Sequence, residues 1–144
     1  MATAPSNKFK FLLASKVIDF ANDSFKIILM DTGFVFNKDT HHAYANVSAS
    51  ELSTGNGYTV NTKTLGTATV TEDDTDDRCE VTWDGVTWTA SGGSIGPTPG
   101  AIIFDNTVTT PTANPIIGYI DFGGEQTQAD GGTATISDVE VRIA

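Results

Sequence analysis

The sequence is poor in the residue types that catalytic and metal-binding sites use most often. It contains one cysteine and two histidines in 144 residues. The lone Cys79 excludes a disulfide within the chain, and we expect it to behave as a small apolar residue that faces the core. The adjacent His41 and His42 lie in a polar loop without further cysteine or histidine nearby. We therefore expect both rings to be solvated rather than bound to a metal.

Basic residues are also scarce, since eight lysines and arginines stand against 18 acidic residues and the formal net charge is −10. Nucleic-acid binding needs lysine and arginine on one face to neutralise phosphates, so this balance argues against a nucleic-acid partner. The apolar run within residues 7–20 is only a few residues long, too short for the core of a signal peptide or for a membrane span. We expect neither nucleic acid nor a membrane as a partner.

No catalytic motif is recognisable, because the sequence has no G-x-S-x-G, no H-E-x-x-H and no G-x-G-x-x-G after a strand. Asp84, Asp105 and Asp121 are the candidates for an acid–base pair. Each adjoins a strand end or a turn glycine, where aspartate is common for backbone reasons. The acidic segment 72–77 lacks the spacing of an EF-hand and favours a solvated turn over a calcium loop. We expect no catalytic, cofactor or metal site and no enzyme activity.

The residues that are abundant are typical of an all-β protein. Threonine occurs 22 times and glycine 14 times, and turn residues recur about every ten positions, as in β-sandwiches. We predict a β-sandwich or a jelly-roll-like barrel of about eight strands, with one short helix near residues 48–53. Residues 1–7 are predicted to form a flexible N-terminal arm, and residues 8–144 a single β domain.

Individual segments carry this prediction. Alternating apolar and polar residues predict short strands within residues 8–20, and Ser48 is expected to cap the helix with Glu51 reaching back to its amide. The remaining predictions, in chain order, are a central strand at 25–30, a strand at 63–72, a Gly/Pro loop at 92–100, apolar strands at 100–105 and 114–124, and a last strand at 132–144 with a bulge near Asp138.

The segment VTWDGVTWTASGG, residues 81–93, places Trp83 and Trp88 on either side of Asp84-Gly85. A type I′ hairpin turn at Asp84-Gly85 would pair Val81 with Trp88 and put both rings on one apolar face. In the alternative interpretation, the chain crosses between two sheets at this pair of residues. Both interpretations bury the two rings, which favours a role in the core over a ligand platform.

Five short motifs resemble a family of small bacteriophage and prophage proteins. They are DTH (39–41), VSASE (47–51), GNGY (55–58), VTWTA (86–90) and IGYIDFG (117–123), and the similarity covers about residues 16–143. The resemblance implies a virion structural component, similar in size and acidity to capsid decoration (cement) proteins. Its implied partner is the major capsid protein, and its implied location is the outer capsid surface. Shell symmetry favours self-association as a trimer over a dimer.

Two other virion roles are compatible with the same sequence. A head-fibre or tail-associated module would bind host-surface glycans through exposed aromatic residues, for which Phe36, Tyr44 and Tyr58 are the candidates. A tail-tube or head-completion subunit would instead assemble into rings. Glycan or cell binding distinguishes the first of these from a cement protein, and ring formation in negative-stain images distinguishes the second.

Overall fold

A computed structural model describes residues 2–144, which form nine β-strands, two short α-helices and one 3₁₀ turn. About 44% of the residues lie in strands and 11% in helices, which confirms the predicted all-β, sandwich-like fold. The elements in chain order are β1 Ala2–Pro5, α1 Asn7–Ala14, β2 Phe25–Leu29, α2 Tyr44–Val47, the 3₁₀ turn Ser48–Ser50, β3 Thr69–Asp73, β4 Arg78–Trp83, β5 Val86–Thr89, β6 Ile95–Asp105, β7 Ile116–Gln128, β8 Thr133–Ile136 and β9 Val139–Ile143.

The strands form three antiparallel sheets, with the orders β1-β7-β6-β2, β3-β4-β9 and β5-β8. Apolar residues from all three sheets meet in the main core, among them Ile27, Ile103, Val81 and Trp88. The opposite face of the four-stranded sheet is also buried, because aromatic residues from positions 34–44 pack on it. A sheet that is buried on both faces explains why β6 and β7 contain continuous apolar runs rather than strict alternation.

The N-terminal residues belong to the fold, which corrects the prediction of a flexible arm followed by short strands. β1 pairs with β7, and Ser6 caps α1, since its Oγ accepts a hydrogen bond from Phe9 N at 3.0 Å. Phe9 and Leu12 are fully buried, whereas Phe11 is 58% exposed. Phe9 and Leu12, three residues apart, therefore lie on the buried side of a helix, and the alternation of Phe9 and Phe11 does not indicate a strand.

β2 is an edge strand of the four-stranded sheet and not the central strand that we predicted. Irregular segments cover its free edge. Ile27 N donates to Lys63 O at 3.0 Å, Leu65 N donates to Phe25 O at 2.8 Å, and Leu52 N donates to Leu29 O at 2.9 Å. These bonds replace a neighbouring strand, which is why the sequence of β2 resembles that of a central strand.

The short helix lies earlier in the chain than predicted, because α2 ends at Val47 and only the 3₁₀ turn covers Ser48–Ser50. The predicted capping contact between Ser48 and Glu51 is therefore wrong. The Glu51 carboxylate is buried and accepts hydrogen bonds from the hydroxyls of Tyr44 and Tyr58, both at 2.7 Å. Burial, with a contribution from this carboxylate, raises the pKa of Tyr44 to about 12. Glu51 thus joins two loop segments to the core.

The chain crosses between two sheets at Asp84-Gly85, as in the second of our two interpretations. β4 pairs with β9 and β5 pairs with β8, so the predicted type I′ hairpin is wrong. A Cβ atom at Gly85 would lie 3.0 Å from the carbonyl oxygen of Ile136, so glycine allows the close approach of the two chain segments at the crossing. Trp83 and Trp88 are each 5% exposed, which confirms that both belong to the core.

Three strand boundaries also differ from the prediction. β3 begins at Thr69, so only the second half of the predicted strand 63–72 is strand. β6 begins at Ile95, opposite Gln128, so much of the Gly/Pro segment 92–100 is strand and not loop. The C-terminal segment 133–143 forms two strands in different sheets, where we expected one strand with a bulge near Asp138. The break between β8 and β9 lies beside the crossing between β4 and β5, because β9 pairs with β4 and β8 pairs with β5.

Candidate partner-binding groove

The three aspartates considered for acid–base chemistry have separate positions. Asp105 Oδ1 accepts hydrogen bonds from two amides of the following loop, and Asp121 Oδ1 accepts one from the amide two residues further on. Asp84 is exposed at the crossing between the sheets. Asp121 lies opposite Gly100 in the ladder, five residues along β6 from Asp105, which separates the two by about 16 Å. Asp105 and Asp121 therefore have backbone roles and do not form a pair.

The two histidines are half-buried, which corrects the prediction of solvated side chains. The His41 ring stacks on Phe34, with centroids 5.4 Å apart and an interplanar angle of 22°, and lies 5.7 Å from the Phe36 ring. Its Nδ1 accepts a hydrogen bond from Asn37 N at 3.1 Å. Burial lowers the pKa of His41, and the charge of His42 adds to this effect. At neutral pH the ring therefore acts as an uncharged support for the two phenylalanines.

Phe34 and Phe36 form one wall of a groove of about 610 Å³ beside β1. Phe36 stacks on Tyr119 of β7, with centroids 5.4 Å apart and an angle of 21°, and Phe34 lies 5.7 Å from the same ring. Between them, Val35 is 79% exposed. We call this surface the aromatic groove, and its lining residues are Thr3, Ala4, Phe34, Val35, Phe36, Pro99, Tyr119, Asp121, Gly123, Gly124 and Glu125.

Hydrogen bonds and one close approach fix the walls of the aromatic groove. Glu125 Oε1 accepts from Thr32 Oγ1 at 2.6 Å and from Gly33 N at 2.9 Å, and these bonds lower the pKa of Glu125. Gly100 lets the Tyr119 ring lie directly against β6, because an added Cβ would overlap the tyrosine hydroxyl. Burial, with a contribution from a nearby carboxylate, raises the pKa of Tyr119 to about 12, so this ring is uncharged at neutral pH.

The aromatic groove has the features of a binding surface. Its centre is apolar, and both of its carboxylates already accept hydrogen bonds, Asp121 from Gly123 of the same strand and Glu125 from Thr32 and Gly33. An apolar centre within a polar rim is the arrangement found in protein–protein interfaces. The groove could bury apolar side chains of a partner, and its aromatic rings could also stack on a sugar.

Only one of the three aromatic residues considered for glycan binding lines the aromatic groove, and that residue is Phe36. Tyr58 is 2% exposed, and Tyr44 stacks on Phe104 with centroids 4.9 Å apart. Phe34, Val35 and Tyr119 were not identified as site residues from the sequence. The alternating FVF at residues 34–36 was the only signal for the first two, and Tyr119 was noted only as part of the IGYIDFG motif.

The acidic segment 72–77 closes the β3–β4 hairpin, in agreement with the predicted turn. Arg78 neutralises part of it, with nitrogen–oxygen distances of 3.3 Å to Asp73 and 3.0 Å to Asp76. Within residues 2–144, no group of three or more histidine, cysteine, aspartate or glutamate side chains is arranged to hold a metal ion. Most of the segment is exposed.

None of the helices formed by residues 2–144 has the length and apolarity needed to cross a lipid bilayer. Comparisons with protein-family models, with curated proteins and with solved structures find no match to this chain.

Proposed function

We propose that this chain is a non-enzymatic structural protein of a bacteriophage virion, a capsid decoration (cement) protein that binds the outer surface of the major capsid shell and stabilises it. The observation that carries the proposal is the aromatic groove, an apolar surface on an all-β scaffold. Two of the phage-like motifs contribute to it. DTH supplies His41, which supports the wall, and IGYIDFG supplies Tyr119 and Asp121, which line the groove.

Attachment to a shell requires apolar burial on a surface that is already ordered. Binding at the aromatic groove would bury Val35 and the half-exposed rings of Phe34 and Phe36. The stack of Phe36 on Tyr119 holds this wall in place before binding, so little conformational entropy is lost. A stable interface of this kind covers roughly 1,000 Å² or more, so the groove forms its centre and not its whole extent. A protein that binds only the assembled shell stabilises it by mass action.

A second function, glycan recognition in a head-fibre or tail-associated protein, is favoured by one feature of the same groove. The half-exposed rings of Phe34 and Phe36 share its lining with the exposed carboxylate of Asp121. A sugar ring presents C–H groups to an aromatic face and hydroxyls to a carboxylate. The groove offers both types of contact, so the two functions must be separated by experiment.

Val35→Asp tests the proposal, because this side chain is 79% exposed and its replacement leaves the core intact. A charge buried without a partner is costly. We expect the variant to co-sediment at least ~10-fold more weakly with mature capsids assembled without this chain, a change of about 1.4 kcal/mol. Wild-type protein should also raise the temperature at which these capsids release DNA to a fluorescent dye, and Val35→Asp should not.

Val60→Asp is the matched control, since Val60 is 40% exposed and does not line the groove. It should bind capsids as the wild type does. Wild-type protein that stays in the supernatant, or a Val35→Asp variant that binds without loss, contradicts the proposal. Wild-type protein that binds a glycan array but not capsids supports the second function instead.

A further inference from the structure

The inner face of the β3-β4-β9 sheet continues beyond the core at the turn between β3 and β4. Cys79 and Val81 point to the same face of β4 because they are two residues apart. Val81 is fully buried, but Cys79 is only half-buried. Opposite these residues, Val70 on β3 is 54% exposed, and Ile143 on β9 is half-buried. Val70, Cys79 and Ile143 line an open groove of about 750 Å³, which we call the hairpin groove.

Acidic side chains surround these apolar residues. Glu72, Asp74 and Asp77 also line the hairpin groove, and all three are exposed. Arg78 and Asp73 line the groove as well, but Arg78 is paired with Asp73 and two other acids. Among residues 2–144, no lysine or arginine lies within 4 Å of the carboxylates of Glu72, Asp74 and Asp77. An apolar floor with an unneutralised acidic rim is complementary to a segment that is both apolar and basic.

The exposed side of α1 has this chemistry. Phe11 is 58% exposed, and the Lys8 ammonium lies 5.1 Å from the centre of its ring. Lys10 is exposed beside it. With Lys16, three of the eight basic residues of the chain fall within residues 8–16, a stretch without an acidic residue. We call Lys8, Lys10 and Phe11 the basic helix face.

The basic helix face does not fill the hairpin groove of its own chain. Phe9 of α1 packs on Phe20 with centroids 5.9 Å apart, and Phe20 lies 6.0 Å from Trp83 at the end of β4. The hairpin groove lies around Arg78, at the other end of β4, five residues or about 16 Å away. A second copy of the chain is therefore the occupant that carries the matching surface.

We propose that the chain self-associates by docking the basic helix face of one copy in the hairpin groove of the next. Phe11 enters between Val70 and Ile143, and the two lysines pair with the acidic rim. The contact joins unlike surfaces, so successive copies form a ring where the rotation between them closes and an open filament where it does not. The net charge of −10 opposes association. The burial of Phe11 and the local attraction of opposite charges, which salt weakens, hold the copies together against it. The aromatic groove takes no part, so this proposal is tested without capsids.

Light scattering during size-exclusion chromatography of the full-length protein tests the contact. Wild-type protein at low salt is expected to have a mass that is a multiple of 15.2 kDa, falling towards a single chain in 1 M NaCl. Lys8→Glu/Lys10→Glu and Asp74→Lys/Asp77→Lys are each expected to run as single chains. An equimolar mixture of the two should associate again, because every charged surface then meets its opposite.

Lys38→Glu reverses an exposed charge outside both surfaces and should keep the wild-type mass. Far-UV circular dichroism shows whether the charge-reversal variants fold. If one does not, Phe11→Ser replaces it, because Phe11 is exposed, and this variant is also expected to run as a single chain. A wild type that is a single chain at millimolar concentration and low salt overturns the proposal. So do folded charge-reversal variants that keep the wild-type mass, or a mixture that remains as single chains.

Discussion

Asp105, at the end of β6, is expected to make the stability of the protein fall as the pH rises. Its side chain is fully buried. Oδ1 accepts hydrogen bonds from Thr107 N at 2.7 Å and Val108 N at 3.0 Å, whereas Oδ2 has no donor among residues 2–144. Burial raises the pKa of Asp105 from 3.8 to about 6; the two amides oppose this rise, and the neighbouring Asp23 carboxyl adds to it. The protonated acid is the form that can donate to Asp23.

The sign and size of the effect follow from this shift. The native state holds the proton more tightly than the unfolded chain, so the contribution of Asp105 is full below pH 3.8 and is lost as the pH rises through 6. A rise of about two pKa units corresponds to ~3 kcal/mol. Asparagine imitates the protonated acid, because its oxygen accepts from the same amides and its nitrogen donates to Asp23. The free energy of unfolding of Asp105→Asn should exceed that of the wild type by ~2–3 kcal/mol at pH 7.5 and by only ~0.5 kcal/mol at pH 4.

Urea unfolding between pH 4 and pH 7.5, followed by tryptophan fluorescence, measures this difference. Asp121→Asn is the control for loss of a negative charge, because Asp121 is exposed and also accepts a backbone hydrogen bond. Surface changes of this kind alter stability by ~0.5 kcal/mol or less. A difference between Asp105→Asn and wild type that stays constant across the pH range would refute the reasoning, as would a variant that is less stable at pH 7.5.

Two further predictions concern packing. Trp88→Ala should lower the free energy of unfolding by ~3–5 kcal/mol, because the ring is 5% exposed and packs on Tyr58. Trp88→Phe should lower it less, since the indole nitrogen has no acceptor among residues 2–144 whose hydrogen bond could be lost. Equal losses of the two variants in chemical denaturation would contradict this prediction. Gly100→Ala should cost ~1–3 kcal/mol in thermal unfolding and weaken capsid binding by displacing Tyr119, whereas Gly66→Ala, which meets only one atom at 4.0 Å, should resemble the wild type.

Long apolar strands could be predicted from the sequence. Segments whose apolar residues fit both the helical period of 3.6 and the strand period of 2 could not be assigned in this way. GAIIFD and NPIIGYIDFGG lie in β6 and β7, because long apolar runs between turn residues are characteristic of buried strands. In KFKF, phenylalanine and lysine alternate as in a strand, so a strand was predicted where the structure has α1. Ser6 as a cap, followed by Phe9 and Leu12 at helical spacing, is the signal that could have identified this helix.

The aromatic groove was beyond sequence analysis because it depends on contacts between distant segments. Phe36 and Tyr119 are 83 positions apart, and only the folded sheet brings them together. The segment that follows Phe36, with His41 and His42, was predicted to be solvated because it is rich in polar residues. The loop that carries Phe36 lies on the sheet because Glu125, more than 90 positions away, binds Thr32 and Gly33. No local pattern encodes either contact.

The two proposed contacts differ in physical origin, so ionic strength separates them. Apolar burial at the aromatic groove persists at high salt, whereas the attraction between the basic helix face and the hairpin groove is screened within ~3 Å at 1 M salt. If capsid attachment survives in 1 M NaCl, where the free protein is a single chain, each copy binds the shell independently. If attachment and self-association are lost together, attachment depends on several linked weak contacts. The Lys8→Glu/Lys10→Glu variant must then bind capsids weakly at low salt as well, although its aromatic groove is intact.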